Sequence, residues 1–176
     1  MDADDIRYWS DRYDEVYDDD LKPIEERLNE TLPDQQYLTQ DDLEDVIWWK
    51  LDGQKGRRDR NIEKVNTVPD EFIQRVSEAA FLIDDPKVQL KTLRSIPGIG
   101  GATATVVLAF YDPETYAVGD RYIVHELLEE DRRMRVTDYP KILAELRDRN
   151  PGGFDLRAVE KAYYQRYRDE HDVGMW

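Results

Sequence analysis

Cysteine is absent from the 176 residues, which removes disulfides, iron–sulfur clusters and thiolate zinc sites from consideration. Histidine is nearly absent too. His125 and His171 are far apart in sequence and fall in no ligand-spacing pattern, so a histidine metal centre is not expected. Long apolar runs are missing: the longest, at 102–110, is far too short to span a bilayer. The opening stretch MDADDIRYWSDRY has neither a basic flank nor an apolar core, so no secretory leader is expected and the cytoplasm is the expected location. Alternating apolar and polar residues bounded by turn signals are lacking as well, which argues against strands.

Positive charge is also scarce. Forty acidic residues face twenty-five basic ones, for a net charge of −15. Taken alone, that balance argues against a polyanionic partner. Arginine outnumbers lysine among the basic residues, and an acidic surface of this kind also fits a protein from a high-salt cytoplasm, whatever it binds. Local basic islands then say more about partners than the total. Two stand out: residues 50–60, KLDGQKGRRDR, and residues 131–135, DRRMR. Each could meet a phosphate backbone, or pair with acidic neighbours on a solvated face.

With 40% hydrophobic residues the chain can bury a real core. Its periodicity predicts an all-α domain of about eight to ten helices, possessing either one body or two lobes (1–60 with 139–176, and 61–138). Apolar residues at helical spacing mark 3–17 (Ile6, Trp9, Tyr13, Val16, Tyr17) and 21–32 (Leu21, Ile24, Leu28). Thr39 with Asp42 reads as a capping box opening the next helix, with Trp48 and Trp49 near its end. Residues 52–60, with two glycines and many charges, read as a loop. Helices are expected after Pro69 and at Asp85-Pro86, then over 101–111, from about 120 to 128, over 139–149 and over about 155–170.

The segment Leu93-Arg94-Ser95-Ile96-Pro97-Gly98-Ile99-Gly100-Gly101-Ala102-Thr103-Ala104 joins a short amphipathic helix to a helix of small and β-branched residues. Pro97 cannot continue a helix, and Gly98 and Gly100 permit backbone angles closed to other residues. Ile99 can plug the gap between the helices. Without Cβ atoms the turn can approach a phosphate, to which the second helix offers free N–H groups and the positive end of its dipole. Such contact reads the backbone of DNA and not its bases. The plainer reading is a tight turn between packed helices.

Residues 96–127 resemble the core of the helix-hairpin-helix/Gly-Pro-Asp DNA glycosylase superfamily, which includes the endonuclease-III-like enzymes. The likeness rests on Ile96-Pro97-Gly98-Ile99-Gly100, then Thr103-Ala104, Pro113, and Ala117-Val118-Gly119-Asp120, and covers roughly a fifth of the chain. The resemblance implies Asp120 as the catalytic aspartate, stabilising positive charge on the deoxyribose as an N-glycosidic bond breaks. It implies double-stranded DNA as partner, with a phosphate grip by Pro97, Gly98, Ile99, Gly100, Gly101 and Thr103, to which the basic residues Arg57, Arg58 and Arg121 are candidates to add contacts. It further implies a monovalent cation (K⁺ or Na⁺) on the main-chain carbonyls of Arg94, Ile96 and Ile99, with no other cofactor. A target base rotated from the duplex needs an aromatic pocket, for which Trp48, Trp49 and Tyr122 are the candidates, with Tyr8 and Trp9 beside them.

Three departures qualify the resemblance. Ala102 stands where bifunctional members carry a lysine, so lyase chemistry is not expected at the hairpin. Asp120 is followed by Arg121-Tyr122 where many relatives have Thr-His, and Arg121 can either pair with Asp120 or touch DNA. The span from Trp48 to the hairpin is short. Asp120 is also well placed simply to cap a helix. Three functions therefore follow in order: a monofunctional DNA glycosylase of base-excision repair, a non-enzymatic DNA binder, and a protein-interaction module.

Overall fold

The computed structural model describes residues 1–17, 19–171 and 173; residues 18, 172 and 174–176 of the expected first lobe lie outside it. Among the described residues the chain is all-α, with ten helices and no strand. No helix among them is long and apolar enough to cross a membrane.

The chain signals set most helix starts. α1 (Ala3–Val16) is opened by Asp2, whose side chain accepts from the N–H groups of Asp4 and Asp5, and α3 (Gln40–Lys50) by the Thr39–Asp42 capping box. α2 (Lys22–Gln35) ends on Gln36, which adopts a left-handed conformation. α5 (Asp70–Phe81) follows Pro69, and α6 (Pro86–Leu93) is capped by Asp85. α8 (Arg121–Leu128) is capped by Asp120 and α10 (Leu156–Glu170) by Asp155; α9 (Tyr139–Arg149) lies between them.

One expectation fails. The segment 52–60 is a loop only to Gln54; from there α4 (Lys55–Val65) carries the second half of the basic island as helix. Gly56 is weak in a helix, but Lys and Arg form helices well. Tertiary packing adds the rest: Val65 is fully buried, and the Arg58 guanidinium lies 3.3 Å from the centre of the Trp48 ring.

α7 (Gly101–Tyr111) is the spine, with every residue from Thr103 to Phe110 buried. A helix apolar on all sides must be enclosed, and α2, α3 and α6 pack around it while α1 lies along α10. One continuous core includes residues from each of the ten helices.

Two buried carboxylates pin connections between these helices. Burial alone would raise Asp42, but hydrogen bonds from Arg27, Thr39 and Gln35 outweigh it and hold the carboxyl below its usual range. Asp138 is held low chiefly by Arg132, which donates to both its oxygens at 2.6 and 3.0 Å, with the Arg135 N–H adding a third bond at 2.7 Å. A depressed folded value means stability that is present above the ordinary carboxylate range and is lost as pH falls through the lowered values. Thermal melts should therefore hold their midpoint down to about pH 5 and decline below about pH 4. Asp138→Asn should flatten that acid limb when followed by circular dichroism; an unchanged limb would remove Asp138 from the account.

Candidate functional site

α6 and α7 are joined by a tight turn at residues 97–100, in which only one glycine needs its conformational freedom. Gly98 has φ of +93°, a conformation that L side chains rarely adopt, and a Cβ there would lie 2.5 Å from the backbone oxygen of Asn61 on α4. Gly100 does not need its freedom: its φ of −93° is open to any residue. What Gly100 has is empty space, with nothing within 4 Å of a Cβ placed on it. Ile99 is buried as the plug and its N–H donates to the Ile96 carbonyl at 3.2 Å. Gly100 gives α7 no side-chain cap, so the first N–H groups of that helix lack an intrahelical partner.

Those N–H groups belong to Gly101, Ala102 and Thr103, which form one wall of a cavity of about 570 Å³. That size falls within the roughly 300–1,000 Å³ of small-molecule sites. Asp120 lies on the same cavity. The segment that delivers it is fixed from three helices. The Gly119 N–H donates to Thr105 Oγ1 of α7 at 2.9 Å, Tyr139 of α9 donates to the Ala117 carbonyl at 2.9 Å, and the Val118 N–H donates to Glu160 of α10 at 3.3 Å. The Met134 side chain lies over Gly119, its sulfur in the space that a Cβ there would take.

Asp120 does two things at once. Its Oδ1 accepts from the N–H groups of Tyr122 and Ile123 at 2.9 and 3.2 Å, capping α8. Its Oδ2 is 3.2 Å from Nζ of Lys50, the last residue of α3. Arg121 is therefore not its ion partner. Arg121 instead folds back over the Tyr122 ring and donates to its hydroxyl at 2.8 Å, while still lining the cavity.

The two basic islands, some seventy residues apart in sequence, converge here. Arg57 comes from the first turn of α4 and Arg133 from the loop before α9, and both line the cavity. Among the described residues neither forms an ion pair, whereas Arg132 is consumed by Asp138 and Glu130. Six cationic side chains (Lys50, Arg57, Arg121, Arg133, Arg157, Arg168) face the cavity against three anionic ones (Asp52, Asp120, Glu160). A protein of net charge −15 thus has a cavity of the opposite sign.

Its floor is a buried ionic network. Arg157 donates to both Glu25 oxygens at 3.1 and 3.2 Å, to the Tyr13 hydroxyl at 3.1 Å and to Glu160. Burial opposes the Arg157 charge, but Glu160 and Glu25 hold it protonated. Burial would raise Glu25, yet Arg157 and Lys161 prevail and hold it low. Glu160 goes the other way: burial pushes its carboxyl up, and the nearby charge of Asp120 adds to this against Arg157. Two carboxyls in unlike settings therefore share one cavity.

The aromatic walls differ from those expected. Trp49 and Tyr122 line the cavity, joined by Tyr13, Tyr17 and Tyr164, whose phenols are pushed up by burial and stay neutral. Trp48 does not: it points away from Trp49, is 43% exposed and is covered by Arg58. Arg58 is accordingly buried against Trp48, Asp52 and Asp59, and is not a cavity residue. Tyr8 is exposed and Trp9 packs on the core, both outside the cavity. Sequence reasoning had Lys50 only as the start of a basic island, and missed Tyr13, Tyr17, Glu160 and Tyr164 as site residues. Each carries an ordinary helical signal, and only the packing of α1 on α10, with Trp49 of α3 against Tyr17 and Arg157, reveals a shared face.

Among the described residues no group of three or more His, Asp or Glu side chains could hold a metal ion. Compared with models of known families, with curated proteins and with solved structures, the chain matches none.

Proposed function

We propose that the chain binds duplex DNA through the hairpin and hydrolyses the N-glycosidic bond of a damaged or mispaired base turned into the cavity. The observation that carries this reading is the convergence of Asp120, the open start of α7, Arg57 and Arg133 on one cationic, aromatic-lined cavity. The helix start and the two arginines suit phosphates. Trp49, Tyr17 and Tyr164 offer faces for a base, and neutral phenols can hydrogen-bond its edge. Asp120 opposes the positive charge that develops on the sugar, and water completes the exchange, leaving free base and an abasic deoxyribose.

Duplexes carrying a panel of deaminated, oxidised, alkylated and mismatched bases, assayed for free base, test this directly. Absence of release from every duplex by well-folded protein would reject the enzyme. A second reading, DNA binding without catalysis, has its own support: both oxygens of Asp120 already have partners in the cap and in Lys50. Tight duplex binding with no base release is its signature.

The phosphate roles predict a salt signature. Arg57→Gln and Arg133→Gln should each lower the slope of log affinity against log salt by roughly one unit, at any DNA sequence. Arg58→Gln should leave that slope alone. Titrations across a salt series read all three.

A further inference from the structure

The charges around the Asp120 cavity do not balance. Each of its three acidic side chains already has a cationic partner: Asp120 in Lys50, Glu160 in Arg157, and Asp52 in Arg58. Four of its arginines, Arg57, Arg121, Arg133 and Arg168, form no ion pair among the described residues. Two of the four flank the open start of α7. A Cβ on Gly98 would lie 2.5 Å from the Asn61 oxygen, so α4 abuts the turn one helical turn beyond Arg57. Met134, next in the chain to Arg133, comes within 3.5 Å of a Cβ placed on Gly101. The aromatic wall is equally incomplete. Trp49, Tyr17, Tyr13, Tyr164 and Tyr122 form a row with neighbouring ring centres 5.8, 4.8, 5.9 and 5.8 Å apart. Trp49 is only 7% exposed, yet its indole N–H has no hydrogen-bond partner among the described residues. A buried donor without an acceptor is an unmet need that a ligand can fill.

We propose that the cavity binds a free nucleoside 5′-monophosphate, which brings a ring to the aromatic row and a doubly charged phosphate to the unpaired arginines. This binding needs no duplex and does not depend on base release. The phosphate meets the N–H groups of Gly101, Ala102 and Thr103 between Arg57 and Arg133. The base lies against the row of rings, and a ring nitrogen or carbonyl oxygen accepts from the Trp49 indole. Charge selects the monoester. It carries about −1.5 to −2 near neutral pH, whereas each phosphate within a DNA strand carries a single charge. The net charge of −15 selects a small ligand. Fields of exposed charges are screened beyond about 8 Å at physiological salt. A single nucleotide therefore feels the arginines, while a long polyanion also meets the acidic surface beyond them. The cavity of about 570 Å³ is of small-molecule size. A nucleotide held there would exclude a base turned out of a duplex, so the two would compete for one space.

Isothermal titration of the full chain with the common ribonucleoside 5′-monophosphates tests this. The matching nucleosides, inorganic phosphate and 3′,5′-cyclic monophosphates serve as partial ligands. The expected result is one-to-one binding of at least one monophosphate, with its nucleoside and inorganic phosphate each weaker by roughly tenfold or more. The cyclic compound keeps the ring but is a singly charged diester, and should also bind several-fold more weakly. Arg57→Gln and Arg133→Gln should each weaken the monophosphate roughly tenfold, as loss of a charge-assisted hydrogen bond would. Both side chains are exposed, so neither change threatens the fold. Trp49→Phe, which keeps a ring and removes the N–H, should weaken the monophosphate and leave inorganic phosphate unchanged. Inorganic phosphate bound as tightly as every monophosphate would reduce the cavity to a general anion site and overturn the proposal. Absence of binding by every monophosphate, or binding that both arginine variants leave intact, overturns it as well. Mobility shifts with duplex DNA separate the two readings. Duplex binding without nucleotide binding keeps the DNA reading and removes this one, and the reverse pattern does the opposite.

Discussion

Asp120→Asn is expected to lower single-turnover base release by about 10²–10³-fold, the range for loss of one preorganised electrostatic group. The helical content should stay near that of the unaltered chain, while loss of the charge opposite Lys50 should lower the melting temperature. The two outcomes part because Asp120 Oδ1 and Oδ2 have different tasks. Oδ1 caps α8 through the Tyr122 and Ile123 N–H groups, and asparagine caps a helix as well as aspartate does. Oδ2 faces Lys50 and the cavity, where the proposed role needs the negative charge itself. Asp120→Ala should add a loss of about 1 kcal/mol of stability from the missing cap, which thermal melts can resolve from the loss of activity. Base release by Asp120→Asn equal to that of the unaltered chain would confine Asp120 to capping.

Gly98→Ala and Gly100→Ala should give opposite results, although the two glycines flank a single isoleucine. At Gly98 an alanine would have to adopt φ of +93° and would place its Cβ 2.5 Å from a backbone oxygen of α4 and 3.2 Å from Val65 Cγ2. Left-handed strain and overpacking cost roughly 1–3 kcal/mol each, so a loss of roughly 2–6 kcal/mol is expected. The melting temperature should fall by roughly 2–4 °C for each kcal/mol. At Gly100 the backbone is extended and the space around it empty, so stability should change by less than about 0.5 kcal/mol. The added methyl would instead stand in open space beside the first residues of α7, where the proposed phosphate must approach. Duplex affinity should fall roughly tenfold, as loss of one charge-assisted hydrogen bond would give. Equal effects of both substitutions on melting would mean that the turn only joins helices.

The same pair shows what can be read from residues alone. Pro97, Gly98 and Gly100 mark the turn unambiguously, but the sequence treats both glycines as conformational necessities. Which one is left-handed depends on how α4 packs against the turn, and α4 itself was hidden, since residues 55–60 look like a charged loop until Arg58 finds Trp48. Trp48 and Trp49 likewise look alike in sequence. Successive residues on a helix point about 100° apart, so one enters the cavity and the other faces Arg58. The buried Arg157–Glu25 pair had no local signal either, because its partners are separated by 132 residues.

Local chemistry therefore determined most elements of this protein: an all-α chain, its capped helix starts, the turn at residues 97–100, and an aspartate at the head of α8. These follow from short-range sterics and hydrogen bonding, which act within a few residues. Tertiary structure decided everything that joins distant segments. It opened the start of α7 onto a cavity, set Arg57 and Arg133 on its walls, and brought Lys50 from α3 to Asp120. Those contacts arise because burying α7 on all sides forces α2, α3 and α6 around it, and the faces they then share are written in no single stretch of sequence.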